Sequence, residues 1–165
     1  MAKMENELEV VSRFMAKAPV DIKGVFDALG IEYRTLPLGK KSAWIERNGD
    51  CFVVVVNELE SEMRQRFSAA HELAHYLLHR DMLEDGCRVH RHEDRLFDDE
   101  ANIHPSPFEA VHEVQANRLA AQIIMPASLV RHEWAKCNNV TEMAQAFRVS
   151  KVAMEIRLKN LGVAV

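Results

Sequence analysis

RQRFSAAHELAHYLLH, residues 64–79, contains the most informative pattern in this chain of 165 residues. Its centre is HELAH, a His-Glu-x-x-His motif formed by His71, Glu72 and His75. On an α-helix, residues four apart lie about 40° apart around the axis, so both imidazoles can face one ion. Glu72 is rotated to the side, where its carboxylate can reach a water on the metal without binding the metal itself. The motif therefore predicts a helix with a metal site on one face.

A metal in a hydrolytic site usually has three protein ligands and keeps a fourth position for water. The best candidate for the third ligand is Glu113 in EVQAN, because a second strongly predicted helix carries it. Asn117 lies one turn further along the same face, where its amide can hold a ligand by a hydrogen bond. The competing candidates all have a side chain able to bind a metal: His79, His90, His92, His104, His112 and Glu109.

Three of these competitors have a simpler interpretation. His79 lies a further turn along its helix, too far for the same ion, and is interpreted as a structural residue or as support for a ligand. His112 points about 100° away from Glu113, so only one of the two can face the site. Glu109 is the nearest rival, but it is predicted to complete a capping box.

Length and composition are typical of one soluble domain. With 48% hydrophobic residues the chain can bury a core, and its net charge of −4 provides no basic surface for nucleic acid. Cys51, Cys87 and Cys137 are odd in number and form no CxxC pair, which favours reduced thiols in the cytoplasm. The first residues lack the apolar core of a signal peptide, and no apolar run approaches the ~20 residues needed to span a bilayer. We expect a cytoplasmic protein without a membrane segment.

The order of patterns predicts an α+β fold: helices, a small antiparallel sheet, then helices. SAWIERNGDCFVVVVN, residues 42–57, indicates a hairpin that turns at Asn48-Gly49 as a type I′ turn. Its second strand, Cys51–Asn57, could lie inside the sheet or could offer an edge to an extended substrate. The main helix is predicted from Ser61 to His79.

The helix that carries Glu113 has the clearest predicted start. Ser106 can cap it, Pro107 suits the first helical position, and Glu109 completes the capping box. Between the two predicted metal helices, residues 80–105 form a charged stretch that is interpreted as a solvated loop, including His90 and His92.

The motifs resemble the ImmA/IrrE-type metallopeptidases, bacterial and phage zinc-dependent proteases that cleave helix-turn-helix repressors. The likeness spans most of residues 19–162, and it departs mildly at Ala74, where the family often has Gly, and at Arg118-Leu119, where it often has an aromatic. The resemblance implies a zincin-like metallopeptidase domain that includes the HExxH helix. By that resemblance the metal ligands are His71, His75 and Glu113, and the catalytic base is Glu72.

The resemblance also suggests a division of the chain. Residues 1–137 would form the metallopeptidase domain, and residues 138–165 a helical appendage packed on it. Within the appendage, VTEMAQAFRVSKVAMEIRLKNLG resembles a helix-turn-helix pair, but residues 140–165 have a net charge of only +2. DNA binding depends on many phosphate contacts and is therefore disfavoured. Residues 80–113 have a net charge of −6, so they could attract a basic repressor or simply form a solvated loop.

The function implied is a metal-dependent endopeptidase that cleaves a helix-turn-helix repressor and so de-represses a mobile element or a stress regulon. Zn²⁺ is expected, although two histidines and one carboxylate also accept Mn²⁺. Tyr76 and His104 are candidates for a second oxyanion donor. The alternatives are a non-proteolytic metal-binding regulator of the repressor or of DNA, and the toxin of a toxin–antitoxin pair. An intact Glu72 favours the enzyme, because a purely structural site needs no base.

Overall fold

The computed structural model describes residues 2–92 and 106–163, and within these ranges it confirms the predicted α+β class. Helices precede and follow a four-stranded sheet, and a short 3-10 turn at Arg80–Met82 ends the longest helix. The elements of the described residues are α1 (Ala2–Phe14), α2 (Ile22–Leu29), β1 (Glu32–Leu36), β2 (Lys41–Asn48), β3 (Cys51–Asn57), α3 (Glu62–His79), β4 (Arg88–His92), α4 (Ala110–Ile124), α5 (Ala127–Cys137), α6 (Val140–Phe147) and α7 (Lys151–Asn160).

The sheet has the strand order β1-β3-β2-β4 and is mixed, not wholly antiparallel as predicted. β1 runs parallel to β3, whereas the β2–β3 and β2–β4 pairs are antiparallel. The reason is topological. β2 runs opposite to β1 but lies one strand away from it, and β3 fills the space between them, antiparallel to β2 and therefore parallel to β1. β3 is therefore paired on both sides, which confirms the interior alternative and excludes it as an edge for a substrate.

Asn57 fixes the reversal between β1 and β2. Its side chain is 2% exposed, so its amide needs partners within the protein. The Oδ1 atom accepts hydrogen bonds from the backbone N–H of Leu38 (3.1 Å) and Leu59 (3.0 Å). The Nδ2 atom donates to the carbonyls of Gly39 (3.0 Å) and Lys41 (2.9 Å). All four hydrogen-bonding positions of the amide are used.

The predicted hairpin of β2 and β3 is present, but its turn lies one residue later than Asn48-Gly49. Asn48 pairs with Cys51, so the two turn residues are Gly49 and Asp50. Of these two, only Gly49 has a positive φ, of 63°. A type I′ turn needs positive φ at both residues, whereas type II′ needs it only at the first. The predicted Asn48-Gly49 type I′ turn was therefore wrong by one residue and by type.

The stretch predicted as a loop after α3 contains a strand. Residues 88–92 form β4, with Val89 opposite Ile45 and His90 opposite Trp44 on β2. Val89 is 8% exposed and supplies the one buried apolar side chain among Arg88, Val89 and His90, so period-2 alternation was too weak to reveal the strand. His104, a candidate oxyanion donor and a competing metal ligand, lies outside the described residues, so the structure does not test either role.

The helix that carries Glu113 begins at Ala110, four residues after the predicted cap. Glu109 is itself the N-cap residue, and its backbone N–H donates to His112 Nδ1 at 2.9 Å. Ser106 instead accepts a hydrogen bond from the backbone N–H of Phe108 at 3.1 Å. The resulting turn places the Phe108 side chain in the core, where it is 5% exposed. A capping pattern in the sequence reflects only local preferences. Here the burial of Phe108 in the core moves the start of the helix to Ala110.

One continuous core joins α3, the sheet and the C-terminal helices. The sheet face that packs against α3 has buried apolar side chains at alternate positions: Ala43, Ile45, Val54 and Val56. From α6 and α7, Phe147 and Met154 enter the same core, and the Arg157 Nε–H donates to the Met125 carbonyl at 2.9 Å. Within the described ranges, no helix is both long and apolar enough to cross a membrane.

Candidate metal centre

Helix α3 presents two kinds of buried side chain. Ser61 caps it, with its Oγ accepting from the Arg64 backbone N–H at 3.3 Å. Its small and apolar residues pack on the sheet, yet His71, Glu72 and His75 are also only 1–2% exposed. Ionisable side chains are rarely buried without a specific partner. Their burial together marks this stretch as a functional site.

Helix α4 packs against α3 and contributes a carboxylate to the two histidines. Ala116 and Ala120 are fully buried and small, which allows the close approach of the helices. The Oε2 atom of Glu113 lies 3.0 Å from His71 Nε2, and its Oε1 atom lies 3.5 Å from His75 Nε2. The two Nε2 atoms are themselves 3.0 Å apart. The structure thus brings together the three residues predicted as ligands.

These three residues fit a divalent ion. Each offers one ligand atom, and the atoms all lie within 4.8 Å of one another. Ligands placed tetrahedrally about 2.1 Å from zinc lie about 3.4 Å from each other, close to the three separations found. Two imidazole nitrogens and one carboxylate oxygen also form a donor set that suits zinc or manganese. In the described part of the chain, no further histidine, cysteine or carboxylate joins this group.

The ionisation of Glu113 suits a ligand. Burial by itself raises the pKa of this carboxyl, because the charged form loses solvation. Hydrogen bonds with His71 and His75, together with their charge, outweigh burial and hold the pKa of Glu113 well below its usual range. Glu113 is therefore a carboxylate at neutral pH.

Each histidine of the pair has a partner on its second ring nitrogen. His71 Nδ1 lies 2.8 Å from Asn117 Oδ1; the helical spacing had indicated a hydrogen bond from Asn117 to a ligand without saying which one. His75 Nδ1 lies 3.0 Å from His79 Nδ1, and His79 Nε2 lies 2.8 Å from Gln115 Oε1. His79 thus supports a ligand, one of the two roles proposed for it. Burial lowers the pKa of His79, which keeps its ring neutral at neutral pH.

Phe108 and β4 form the rest of the site wall. The Phe108 ring stacks on His75 with 4.0 Å between centroids and 2° between planes. Together with Val89 and His90 it lines a small cavity that also contains Glu72 and the three candidate ligands. Sequence reasoning missed Phe108, because a single aromatic ahead of a helix belongs to no periodic pattern. It also missed Gln115, whose contact crosses between two helices.

Tyr76, one of the two candidate oxyanion donors, has a different partner. It is 6% exposed, and its hydroxyl donates to Glu7 Oε1 at 3.1 Å. Tyr76 is absent from the described residues that line the cavity. The structure therefore does not support this candidate: a residue five positions after His71 faces a different side of the helix, where α1 supplies its acceptor.

Comparison with known proteins agrees with this geometry. The family model Peptidase_M78, described as the IrrE N-terminal-like domain, matches residues 26–159. The match includes α3, α4 and the four strands, and it continues into α7. A search of curated proteins found no match. The resemblance drawn from the two metal motifs is confirmed, and the chain belongs to the family of IrrE N-terminal-like peptidase domains.

Proposed function

We propose that this protein is a zinc-dependent endopeptidase that inactivates a helix-turn-helix repressor by limited cleavage. The observation that carries the proposal is the position of Glu72, a 2% exposed carboxylate that lines one cavity with His71, His75 and Glu113. A purely structural metal site needs no fourth ionisable side chain there. Membership of a peptidase family supports the same reading.

The catalytic roles follow from the side chains of the cavity. His71, His75 and Glu113 would hold the ion, which supplies Lewis acidity and lowers the pKa of water from about 15.7 toward 7. Glu72 accepts the proton of the water that attacks the scissile carbonyl, and it then donates this proton to the leaving amine. Asn117 orients the His71 ring through its amide oxygen.

Phe108 and Val89 give the cavity an apolar wall. Phe108 is 5% exposed and Val89 is 8% exposed, so they limit the access of bulk water to the Glu72 carboxylate. Exclusion of water strengthens every charge interaction within a site. These two residues therefore support proton transfer without taking part in it.

The substrate class rests on the resemblance to the ImmA/IrrE-type proteases, whose substrates are helix-turn-helix repressors. Cleavage would take place in the cytoplasm, where such repressors act. The acidic balance of residues 80–113, net −6, would attract the basic surface of a DNA-binding protein. Raising the salt concentration should then slow the cleavage.

The test is cleavage of a helix-turn-helix repressor from the same organism, with any repressor encoded beside this protein tried first. The reaction would be run with Zn²⁺, with Mn²⁺ and with a chelator, and the products mapped by mass spectrometry. We expect one main cut that requires a metal and disappears with the chelator. Absence of cutting with either metal, alongside tight binding of the repressor or of DNA, would contradict the proposal and favour the non-proteolytic regulator.

A further inference from the structure

We infer that His79 and Gln115 are positioning residues that set the tautomer and the orientation of the His75 ring. The inference rests on the proposed function, because it assumes that His75 binds the metal. His79 does not belong to the group of candidate ligands His71, His75 and Glu113. Their contacts form a chain of three side chains that starts at His75 and ends on α4.

The hydrogen bonds that link His75, His79 and Gln115 run in a definite direction from donor to acceptor. A ligand that binds through Nε2 carries its proton on Nδ1, so His75 donates from Nδ1 to His79 Nδ1, 3.0 Å away. His79 must then accept at Nδ1 and carry its own proton on Nε2. That proton points to Gln115 Oε1 at 2.8 Å, and an amide oxygen can only accept. Each donor in the chain meets an acceptor.

The reverse direction is incompatible with a metal site. If Gln115 presented its NH₂ group to His79, His79 Nε2 would accept and its Nδ1 would carry the proton. His79 would then donate to His75 Nδ1, and the His75 proton would move to Nε2, the nitrogen that faces Glu113. A protonated Nε2 has no lone pair for an ion. The orientation found, with the Gln115 amide oxygen toward His79, is thus the one that matches the tautomer able to bind an ion.

The other histidine, His71, has a partner of the same kind. His71 Nδ1 lies 2.8 Å from Asn117 Oδ1, again an amide oxygen that fixes the proton on Nδ1. Helix α4 thus provides Glu113 as a ligand, and Gln115 and Asn117 as the acceptors that orient both histidines. Packing of this one helix against α3 therefore brings the three proposed ligands and both acceptors together.

Packing alone does not explain His79. Its side chain is 6% exposed, and its ring lies 5.7 Å from Phe108 and 5.0 Å from His112 between centroids. An apolar residue of similar size would fill the same space. Both ring nitrogens, however, have partners, and one of these partners is a ligand.

The test separates these roles by zinc affinity, measured by competition with a chromophoric chelator on the full chain. His79→Leu keeps the volume but removes the acceptor, and it should weaken zinc binding by about 10–100-fold, as loss of such a partner does elsewhere. His79→Gln restores an acceptor and should lie within roughly threefold of the unmodified protein. His132→Leu, on an exposed histidine of α5, is the matched control and should change nothing.

A second measurement needs no substitution. Nitrogen-15 NMR of the zinc-loaded protein reports the tautomer of each histidine, and we expect Nδ1–H on His75 with Nε2–H on His79. The opposite tautomer of His79 would overturn the inferred role of His79 and Gln115 but would leave the proposed metal site standing. The same holds if His79→Leu binds zinc as tightly as the unmodified protein. Failure of the unmodified protein to bind zinc would overturn the proposed metal site as well, so the two failures are distinguishable.

Discussion

Glu7 joins helix α1 to α3 through a buried ionic cluster. It is 8% exposed, and its Oε1 accepts from the Tyr76 hydroxyl at 3.1 Å. Its Oε2 accepts from Arg80 Nη1 at 2.6 Å, and the Arg80 guanidinium lies 4.6 Å from the centre of the Tyr76 ring. α1 precedes the residues matched by the family model, and this cluster links it to α3 within the matched part.

The cost of removing Glu7 follows from its contacts. Glu7→Ala loses a charge-assisted hydrogen bond, worth about 1.5–3 kcal/mol, and leaves the buried Tyr76 hydroxyl unsatisfied at about 1 kcal/mol. The side chains of Arg80 and Glu7 are 18% and 10% exposed, so solvent screens the pair only weakly. We expect the free energy of unfolding to fall by about 3 kcal/mol, at the lower end of the range for broken buried pairs.

The assay is urea unfolding of the metal-free protein, followed by circular dichroism. A loss of about 3 kcal/mol also corresponds to a fall of roughly 6–12 °C in the melting temperature. Glu9→Ala is the control on the same helix: its pair with Arg13 has side chains 65–67% exposed, so the loss should stay below about 0.5 kcal/mol. A Glu7→Ala effect no larger than that of Glu9→Ala would refute the reasoning.

Two further predictions concern the rest of the fold. Asn57→Ala should lower the free energy of unfolding by about 3 kcal/mol, because four backbone groups lose their partner; a loss under about 1 kcal/mol in urea unfolding would show that water replaces the amide. Burial raises the pKa of Tyr33 and of Tyr76, the only tyrosines in the sequence, so their phenolate absorbance should rise at higher pH in the folded protein than in urea. Since the folded pKa is the higher one, this contribution to stability is present below the ordinary value near 10 and is lost as pH rises through the folded pKa. Identical titration curves in the two states would contradict the assigned burial.

Local patterns were enough to single out the candidate ligands His71, His75 and Glu113, which the structure brings together. Each helix carries one pair at a four-residue spacing, and such a spacing can be read from the sequence alone. The pairs are His71 with His75 and Glu113 with Asn117. The apolar and small residues of α3 likewise predicted its length within a residue.

Contacts between distant elements could not be predicted in the same way. The Gly49-Asp50 turn depends on the pairing of Asn48 with Cys51, and a pairing register is a property of two strands together. β4 has one buried apolar side chain and joins the sheet because β2 offers it an edge. The contacts of Glu7 with Tyr76 and of Gln115 with His79 span 69 and 36 residues of sequence.

The most direct test of the central claim compares Glu72→Gln with Glu133→Gln, a matched change on a partly exposed glutamate of α5 that pairs with Lys136 and lies outside the cavity lining. Zinc content per chain and cleavage of the repressor would be measured on the same samples. We expect both variants to hold one zinc ion per chain, and Glu133→Gln to cleave at the unmodified rate. Glu72→Gln should lose cleavage by at least roughly 100-fold, as loss of a general base does. Full cleavage by Glu72→Gln with zinc bound would contradict the account.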